Sequence, residues 1–470
     1  MGRRVWLLIP FMAALGLSLQ IPGQPSSLLL AQALVLAFCA LLFLMRRLPY
    51  RLAWTELELW IVILTLCVAQ VYLRNPVNVS LFGGDTVGGK GYILYAIALA
   101  SALLFCSLRV PANELKWVIP LSIFGALGNA AVSIIGNFVP IIGLYTGTGG
   151  YSQSNEAGYD AQVVDSEAAT RIGFLGAFGK NLSLWISSYI SPLKACFRPL
   201  WLILILVVVV AAGLSGFRNV IALVGVTLLL GIAYRSGFGG VALSIFGGIG
   251  GLVLLALLNT IHPLPPNIQR SLTFLPGTWE ERYKRDAEGS SEWRFEIWRE
   301  VLLTDRWIQN KWLGDGLGFT AAELTAQMNQ REGSRAGLSG FDIHRENILS
   351  NGDYHSGPVS TVRIIGYLGL IIFLLAQIRL AVHAHRQILR CRGTEWFPLA
   401  LFTGIPLIYG PLFFVFIFGD FRSNSVAFLL AVGMIRLLEN NLPLPAYVVK
   451  RRTPYILQNR RTLQDSAPAR

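Results

Sequence analysis

The stretch LWLILILVVVVAAGLSGFRNVIALVGVTLLLGIAY, residues 200–234, carries two apolar runs joined by a short turn. Arg218, in that turn, is the only charged residue of the stretch. A helix that is apolar on every side does not sit on the surface of a water-soluble domain, and runs of about 17–25 such residues are typical of membrane-spanning helices. The stretch therefore predicts two consecutive spans that meet at Arg218.

The composition of the whole chain agrees with this reading. Of its 470 residues, 54% are hydrophobic and 14% are charged, against about 25% charged in a typical soluble domain. Soluble enzymes, disordered chains and fibrous chains are excluded. The first run is interpreted as a retained helix rather than a cleaved signal peptide, since the next span follows closely. Twelve spans are predicted: about 5–21, 27–45, 57–73, 91–107, 115–136, 173–190, 200–216, 219–234, 239–261, 358–378, 396–419 and 424–438.

The basic residues set the orientation of these spans. With both termini in the cytoplasm, the inner segments hold 21 lysines and arginines and the short outer loops hold six. Such an excess is typical of cytoplasmic loops. The net charge of +13 then faces anionic headgroups, and no nucleic-acid partner is needed to explain it. We expect a multi-pass protein of the bacterial inner membrane.

This topology divides the chain into four parts. Residues 1–261 form spans 1–9, residues 262–357 a mostly helical outer cap, residues 358–438 spans 10–12, and residues 439–470 a basic cytoplasmic tail. The cap is predicted to contain a helix over about 292–309, because Trp293, Ile297 and Val301 recur on one helical face. A glycine turn (314–318) and a second short helix (about 319–331) follow it.

Familiar catalytic and metal-binding patterns are missing from the sequence, including the phosphate-binding glycine loop, the zinc-protease motif and cysteine–histidine clusters. No metal or cofactor site is predicted, and the five histidines fall in different parts of the predicted topology. His383 and His385 are expected in a solvated inner loop, and His262 at the interface. His344 and His355 lie in the outer segment, and His355 shortly precedes a span, where free helical N–H groups favour anions.

Arginines supply the remaining candidates for a site. Arg218 is expected at or just below the outer surface, where a charge faces either a functional cavity or, by snorkelling, the headgroups. Arg171, Arg294 and Arg422 lie on the same side, and guanidinium groups bind phosphate oxygens in pairs. Together these four arginines predict a diphosphate receptor. The alternative for the last three is structural ion pairs with neighbouring acids, namely Glu292, Glu296 and Asp420.

These residues resemble motifs of the bacterial O-antigen ligase and polymerase superfamily. In the ligase signature a histidine and a small polar residue are followed by nine residues and a Gly-x-x-Gly pattern. Here His355 and Ser356 are followed by residues 357–365 and by Gly366-Tyr367-Leu368-Gly369. The LSG-x-R motif is matched by residues 214–218, and the arginine–tryptophan pair with a glycine turn by Arg294, Trp298 and residues 314–318. The resemblance covers about residues 171–375.

The resemblance implies an all-α, GT-C-like membrane glycosyltransferase with its active site on the periplasmic face. The donor would be a glycan on undecaprenyl diphosphate and the acceptor the lipid A–core oligosaccharide. His355 would activate the acceptor hydroxyl, with Arg218 and Arg294 holding the diphosphate. No metal would be needed, because a lipid diphosphate is already a good leaving group, and direct displacement would invert the anomeric centre.

Two alternatives stay open at this point. The threonines that often follow the signature glycines in ligases are absent here, while O-antigen polymerases and protein O-oligosaccharyltransferases share the other motifs. A transporter of lipid-linked sugars would also explain an arginine at membrane level without catalysis.

Overall fold

The computed structural model describes residues 2–51, 53–79, 88–148, 172–318, 345, 348–349, 352, 354–417 and 419–443. Within them the regular structure is helical, with no strand longer than an isolated bridge. After a 3₁₀ turn at Gly2–Leu7, the helices are α1 Leu8–Leu15, α2 Ser27–Leu44, α3 Glu56–Arg74, α4 Lys90–Ser107, α5 Ala112–Leu115, α6 Val118–Phe138, α7 Pro140–Thr146, α8 Gly173–Tyr189, α9 Pro192–Ala195, α10 Pro199–Leu214, α11 Arg218–Ile261, α12 Pro266–Leu272, α13 Glu281–Leu303, α14 Gly357–Cys391, α15 Phe397–Phe416 and α16 Phe421–Asn441.

Eight of the described helices are long and apolar enough to cross a membrane, and two shorter apolar helices, Arg4–Leu15 and Pro199–Leu214, accompany them. Many large apolar side chains on these helices face outward, as expected where lipid rather than protein surrounds them. The prediction of an all-helical, polytopic membrane protein is confirmed at this level. Each of the twelve predicted spans overlaps one of the helices given above.

The first predicted span, about 5–21, is wrong in extent because α1 stops at Leu15. Gly16 adopts a left-handed conformation (φ 57°) and returns its N–H to the Met12 carbonyl at 3.0 Å, an arrangement that ends helices. Asn129 of α6 caps the Leu15 carbonyl at 2.7 Å. The turn is therefore held by a distant helix, a contact that apolar patterning cannot reveal.

The predicted spans 219–234 and 239–261 lie in one 44-residue helix, α11, which is interrupted at Gly237 (φ 73°, ψ −169°). An unbroken helix of this length would extend about 66 Å. Instead, α12 at its far end contacts the turn at its beginning, since Asn267 donates to the Leu214 carbonyl at 3.1 Å and Arg270 to the Gly216 carbonyl at 3.0 Å. The chain thus reverses at Gly237, as two antiparallel spans require.

The helix α14 continues to Cys391, so the expectation that His383 and His385 lie in a solvated loop is wrong. His383 Nδ1 lies 3.1 Å from Glu439 of α16, and His385 Nδ1 lies 2.6 Å from the Tyr234 hydroxyl. Beside them, buried Arg436 bonds to Glu58 of α3 at 2.6 Å. The Arg436–Glu58 ion pair and the His383–Glu439 hydrogen bond join the ends of α3, α14 and α16.

The cap helix α13 (Glu281–Leu303) both begins and ends earlier than the helix predicted over about 292–309. Its predicted apolar face is confirmed, because Ile297 and Val301 are buried and Trp293 is partly buried beside them. These side chains share a cluster with Tyr354 and Val359. The glycine turn at 314–318 is described, whereas the predicted helix at about 319–331 and the tail beyond residue 443 lie outside the described residues.

Candidate functional site

His355 stands at the end of the cap, immediately before α14. It is 5% exposed, and its ring centroid lies 6.1 Å from that of Trp293 on α13. Its φ of 50° is left-handed, a conformation that residues other than glycine adopt rarely and at some cost in energy. The Trp298 indole fixes the preceding residue by donating to the Tyr354 carbonyl at 2.7 Å. The cap helix therefore contacts both the His355 ring and the backbone that precedes it.

The nine residues after Ser356 form a short helical arm at the start of α14. The Ser356 side chain accepts from the Val359 N–H, and Pro358 occupies the first turn, so the arm begins with a regular cap. It ends at Gly366, where φ is 74° and ψ is 178°. The spacing between the histidine and the first signature glycine therefore equals the length of this arm.

The break at Gly366 leaves backbone groups of α14 without partners inside the helix. The glycine turn (314–318) and the residues before it supply hydrogen bonds to those groups. Asp315 N–H donates to the Arg363 carbonyl at 2.7 Å and Gly316 N–H to the Ile364 carbonyl at 3.1 Å. In return Tyr367 N–H donates to the Lys311 carbonyl at 2.8 Å. Buried backbone groups need such partners. The turn and the arm are therefore one unit, although their motifs are far apart in the sequence.

Glycine is required on both sides of this junction. A Cβ at Gly366 would run into the Trp312 carbonyl, and a Cβ at Gly314 into the Ile364 carbonyl. Both residues also have positive φ, 74° and 82°, which glycine adopts without strain. The two glycine motifs recognised in the sequence thus have a shared structural reason, namely close backbone approach.

Tyr354, the residue before His355, is acted on by charged side chains of both signs, namely Arg363, Asp315 and Arg422. Burial raises the pKa of the Tyr354 phenol to about 12, while the charges of Arg363 and Arg422 act in the opposite direction. The Arg363 guanidinium packs so closely on Gly352 that a Cβ there would lie 2.6 Å from its Nε. Arg363 is 2% exposed. The arm and the first turn of α16 therefore bring two arginines to the vicinity of His355.

Arg218 is the first residue of α11 and is half-buried. The turn before it is held by α12, through the Arg270 bond to the Gly216 carbonyl, and Gly216 has a positive φ of 73°. The Ile172 N–H also donates to the Ser215 carbonyl at 3.0 Å. The LSG-x-R motif is thus a tight, well-supported turn that places an arginine at a helix N-terminus.

A cavity of about 560 Å³ lies among α8, α11, α14, α15 and α16. Asn219, next to Arg218, lines its mouth, as do Gly419 and Ser423 on either side of Arg422. A Cβ at Gly419 would lie 3.1 Å from the Gly357 Cα, so the mouth adjoins the arm that follows His355. The N-termini of α11, α14 and α16 converge there, and helix N-termini favour anions.

The cavity runs from these helix starts into the apolar part of the bundle. Gln377 and Ala431 line its deeper wall, about 15 Å along α14 and α16 from Gly366 and Phe421. Most other lining residues are apolar, and among the described lining residues Lys180 is the one that carries a charge. Lys180 is one of the six basic residues assigned from the sequence to the short outer loops and their flanks, but it lies on the second turn of α8 and faces this cavity.

The structure thus gathers several of the predicted site residues and leaves others undetermined. Arg218 and Arg422 lie in the first turns of α11 and α16, next to the lining residues Asn219 and Ser423. His355 precedes the adjoining arm, and Arg294 follows Trp293, whose ring lies near that of His355. Arg171 and His344 lie outside the described residues.

Sequence reasoning missed two residues here, Arg363 and Lys180. Arg363 stands alone among apolar neighbours in PVSTVRIIGYLG, so the argument that selected Arg218 would also have selected it. Lys180, in GFLGAFGKNLSLWI, offered the same signal but was read as the flank of a loop.

Comparison with known proteins gives no relative on which to rest a function. No protein-family model matches the chain, and the search of curated proteins gives no match either.

Proposed function

We propose that this protein is a membrane glycosyltransferase of the O-antigen ligase type, acting on a glycan carried by undecaprenyl diphosphate. The cavity of about 560 Å³ that adjoins the arm after His355 is the observation that carries the proposal, because it combines an apolar interior with a mouth lined by residues at helix N-termini. A polyprenyl chain needs the first feature and a diphosphate the second. The motif resemblance supplies the reaction class.

In this proposal the polyprenyl chain lies in the cavity and the diphosphate at its mouth. The phosphate oxygens are neutralised by Arg218, Arg294 and Arg422, with Arg171 as a further candidate. Positive charge from the arm is added by Arg363. A guanidinium presents paired donors to phosphate, and such charge-assisted bonds contribute about 1.5–3 kcal/mol each. Lys180 lies deeper, where an uncompensated charge in an apolar wall is unfavourable without a ligand or water.

The reaction is a direct displacement at the anomeric carbon. The acceptor hydroxyl oxygen forms the new glycosidic bond as the bond from the anomeric carbon to the diphosphate oxygen breaks, and the configuration inverts. His355 takes the hydroxyl proton, a role that imidazole performs near neutral pH. The arginines stabilise the charge that develops on the departing diphosphate. The proposal assigns the reaction to these side chains and not to a metal ion.

Twelve spans in a GT-C-like arrangement, with both termini in the cytoplasm, belong to the same proposal. They place the cap, His355 and the cavity mouth on the periplasmic side, where lipid A–core is proposed as the acceptor. The acceptor distinguishes this function from its relatives. A polymerase would transfer to another lipid-linked glycan, and a protein O-oligosaccharyltransferase to a protein hydroxyl.

One observation favours a different class of function. Lys180 faces the interior of the cavity rather than the cap, and ionisable residues inside a bundle often mark a transport path. A transporter of lipid-linked sugars is therefore the second candidate.

Mass spectrometry of co-purified lipid tests the donor assignment. We expect undecaprenyl diphosphate or its glycan conjugate to accompany the unmutated protein, and less of it to accompany Lys180→Gln. Lys194→Gln is the matched control, because Lys194 is exposed in the short helix α9, which follows the far end of α8. Retention of ordinary phospholipids alone, in every variant, would contradict the assignment.

A further inference from the structure

A second cavity lies at the opposite end of the bundle from the cap, beside the N-terminal 3₁₀ turn. Its volume is about 270 Å³, and it is lined by residues of that turn, of α2, of the segment between α2 and α3 and of the segment after α4, among them Trp6, Leu42, Pro49 and Arg109. The chain at residues 49–51 closes it by pairing with residues 107–109, through the bridge between Tyr50 and Leu108. This space is comparable in size to a lipid headgroup.

An apolar groove of about 530 Å³ adjoins this cavity on the other side of Val5, which lines both. Phe11, Phe38 and Leu121 form its walls. It follows α1 away from the headgroup-sized cavity and toward the interior of the membrane. The pair of spaces therefore has the form of a headgroup pocket with an attached channel for an acyl chain.

Four arginines lie in the lining of the first space or close in the chain to its lining residues Leu48 and Pro49. Arg109 lines it, and Arg46, Arg47 and Arg51 flank Leu48 and Pro49 in the chain with exposed side chains.

The acid in its lining, Glu114, is already engaged. The Trp6 indole donates to it at 3.3 Å, and Arg4 lies 3.6 Å away. An incoming anion therefore meets arginines whose charge Glu114 does not cancel.

Aromatic residues mark this level as the membrane boundary. Tyr50, Trp54 and Trp117 have 51%, 67% and 51% of their surface exposed, and tyrosine and tryptophan concentrate at the headgroup level. Their position beside the arginines places the cavity at the interface rather than in the aqueous phase or the hydrocarbon core.

We propose that this cavity and groove bind an anionic glycerophospholipid from the membrane leaflet that surrounds the 3₁₀ turn Gly2–Leu7. Its phosphate would contact Arg47, Arg51 and Arg109, and one acyl chain would follow the groove past Phe38. The occupant is identified by charge, because a zwitterionic lipid would bring its own cation into a site already rich in arginine. This site is separate from the cavity beside His355 and does not depend on the proposed glycosyltransferase activity.

Native mass spectrometry of the purified protein, titrated with phosphatidylglycerol or phosphatidylcholine, tests the proposal. We expect phosphatidylglycerol to bind preferentially, and Arg47→Gln/Arg51→Gln to weaken it about 30-fold, since each basic residue near a surface contributes roughly 1 kcal/mol. Leu42→Trp, which fills the cavity, should reduce binding without changing charge.

The matched control is Lys194→Gln/Arg198→Gln, which removes two exposed positive charges elsewhere. It should retain phosphatidylglycerol. Equal binding of the two lipids, or an equal loss in the control and the Arg47/Arg51 variant, would overturn the proposal. Monodisperse elution of each variant shows that it has folded, and the surface arginine pair keeps the test valid if Leu42→Trp does not fold.

Discussion

At the scale of single residues, the position of His355 brings together burial, a left-handed backbone and contact with the cap helix. A residue under backbone strain persists only where its surroundings hold it. Here Trp293 and Trp298 of α13 and the capped start of α14 supply that support. The histidine was identified in the sequence by its motif, whereas the contacts that support its backbone come from the cap helix and from the start of α14.

His355→Ala is expected to lower turnover about 10²–10⁴-fold, the usual range for loss of a general base, with donor binding almost unchanged. Single-turnover glycan transfer and a separate lipid-binding measurement distinguish the two effects. His262→Ala, at an exposed helix end, is the control and should remain active. Full activity of His355→Ala would remove the base from this position.

Arg218→Ala is expected to weaken donor binding by roughly 1.5–3 kcal/mol, because a charge-assisted contact to phosphate is lost. Arg218→Lys should recover only part of that loss, since an ammonium keeps the charge without the planar pair of donors. Titration of a polyprenyl diphosphate measures both. Arg285→Ala, which removes an exposed cap arginine paired with Glu281, should bind normally, and equal weakening there would point to a general charge effect.

At the scale of elements, the arm of residues 357–365 and the glycine turn (314–318) form one junction around Gly366. Gly366→Ala adds a Cβ against the Trp312 carbonyl at a positive φ of 74°. Left-handed backbone costs about 1–2 kcal/mol in an ordinary residue, and overpacking adds about 1–3 kcal/mol. We expect a clear fall in the thermal unfolding midpoint in detergent, together with loss of transfer.

Gly393→Ala separates the two contributions, because Gly393 has a φ of 79° and no atom within 4 Å of its added Cβ. It should lower the midpoint less than Gly366→Ala does. An equal decrease for both variants would mean that the junction with Trp312 contributes nothing beyond the backbone conformation.

The elements also show how far sequence reasoning reaches. Long apolar runs predicted the apolar helices, of which eight among the described residues are long enough to cross a membrane, because a lipid-facing helix must be apolar along its length. The end of α1 at Gly16 and the continuation of α14 past His383 depend on Asn129 and Glu439 from other helices. Such contacts leave no local pattern. The candidate site followed the same rule, because the motifs identified His355 and Arg218, whereas the cavity that Lys180 lines is formed only by the packed helices.

At the scale of the whole molecule, the proposed orientation places the cap and the cavity mouth outside the cytoplasm. Labelling of cells with a membrane-impermeant maleimide checks this. Glu281→Cys, on the exposed start of α13, should react in intact cells, and Cys196, also exposed, should react only after permeabilisation. The reverse pattern would put His355 on the wrong side for a periplasmic acceptor.

Glycan transfer by the purified protein in excess EDTA tests the central claim most directly. We expect a glycan supplied on undecaprenyl diphosphate to be transferred to lipid A–core, with inversion at the anomeric carbon and without added metal. Transfer to a second lipid-linked glycan instead would identify a polymerase. Loss of activity in EDTA with rescue by Mg²⁺ would move the leaving-group role from the arginines to a metal. No transfer to any acceptor by folded, lipid-loaded protein would contradict the glycosyltransferase account and favour a transporter of lipid-linked sugars.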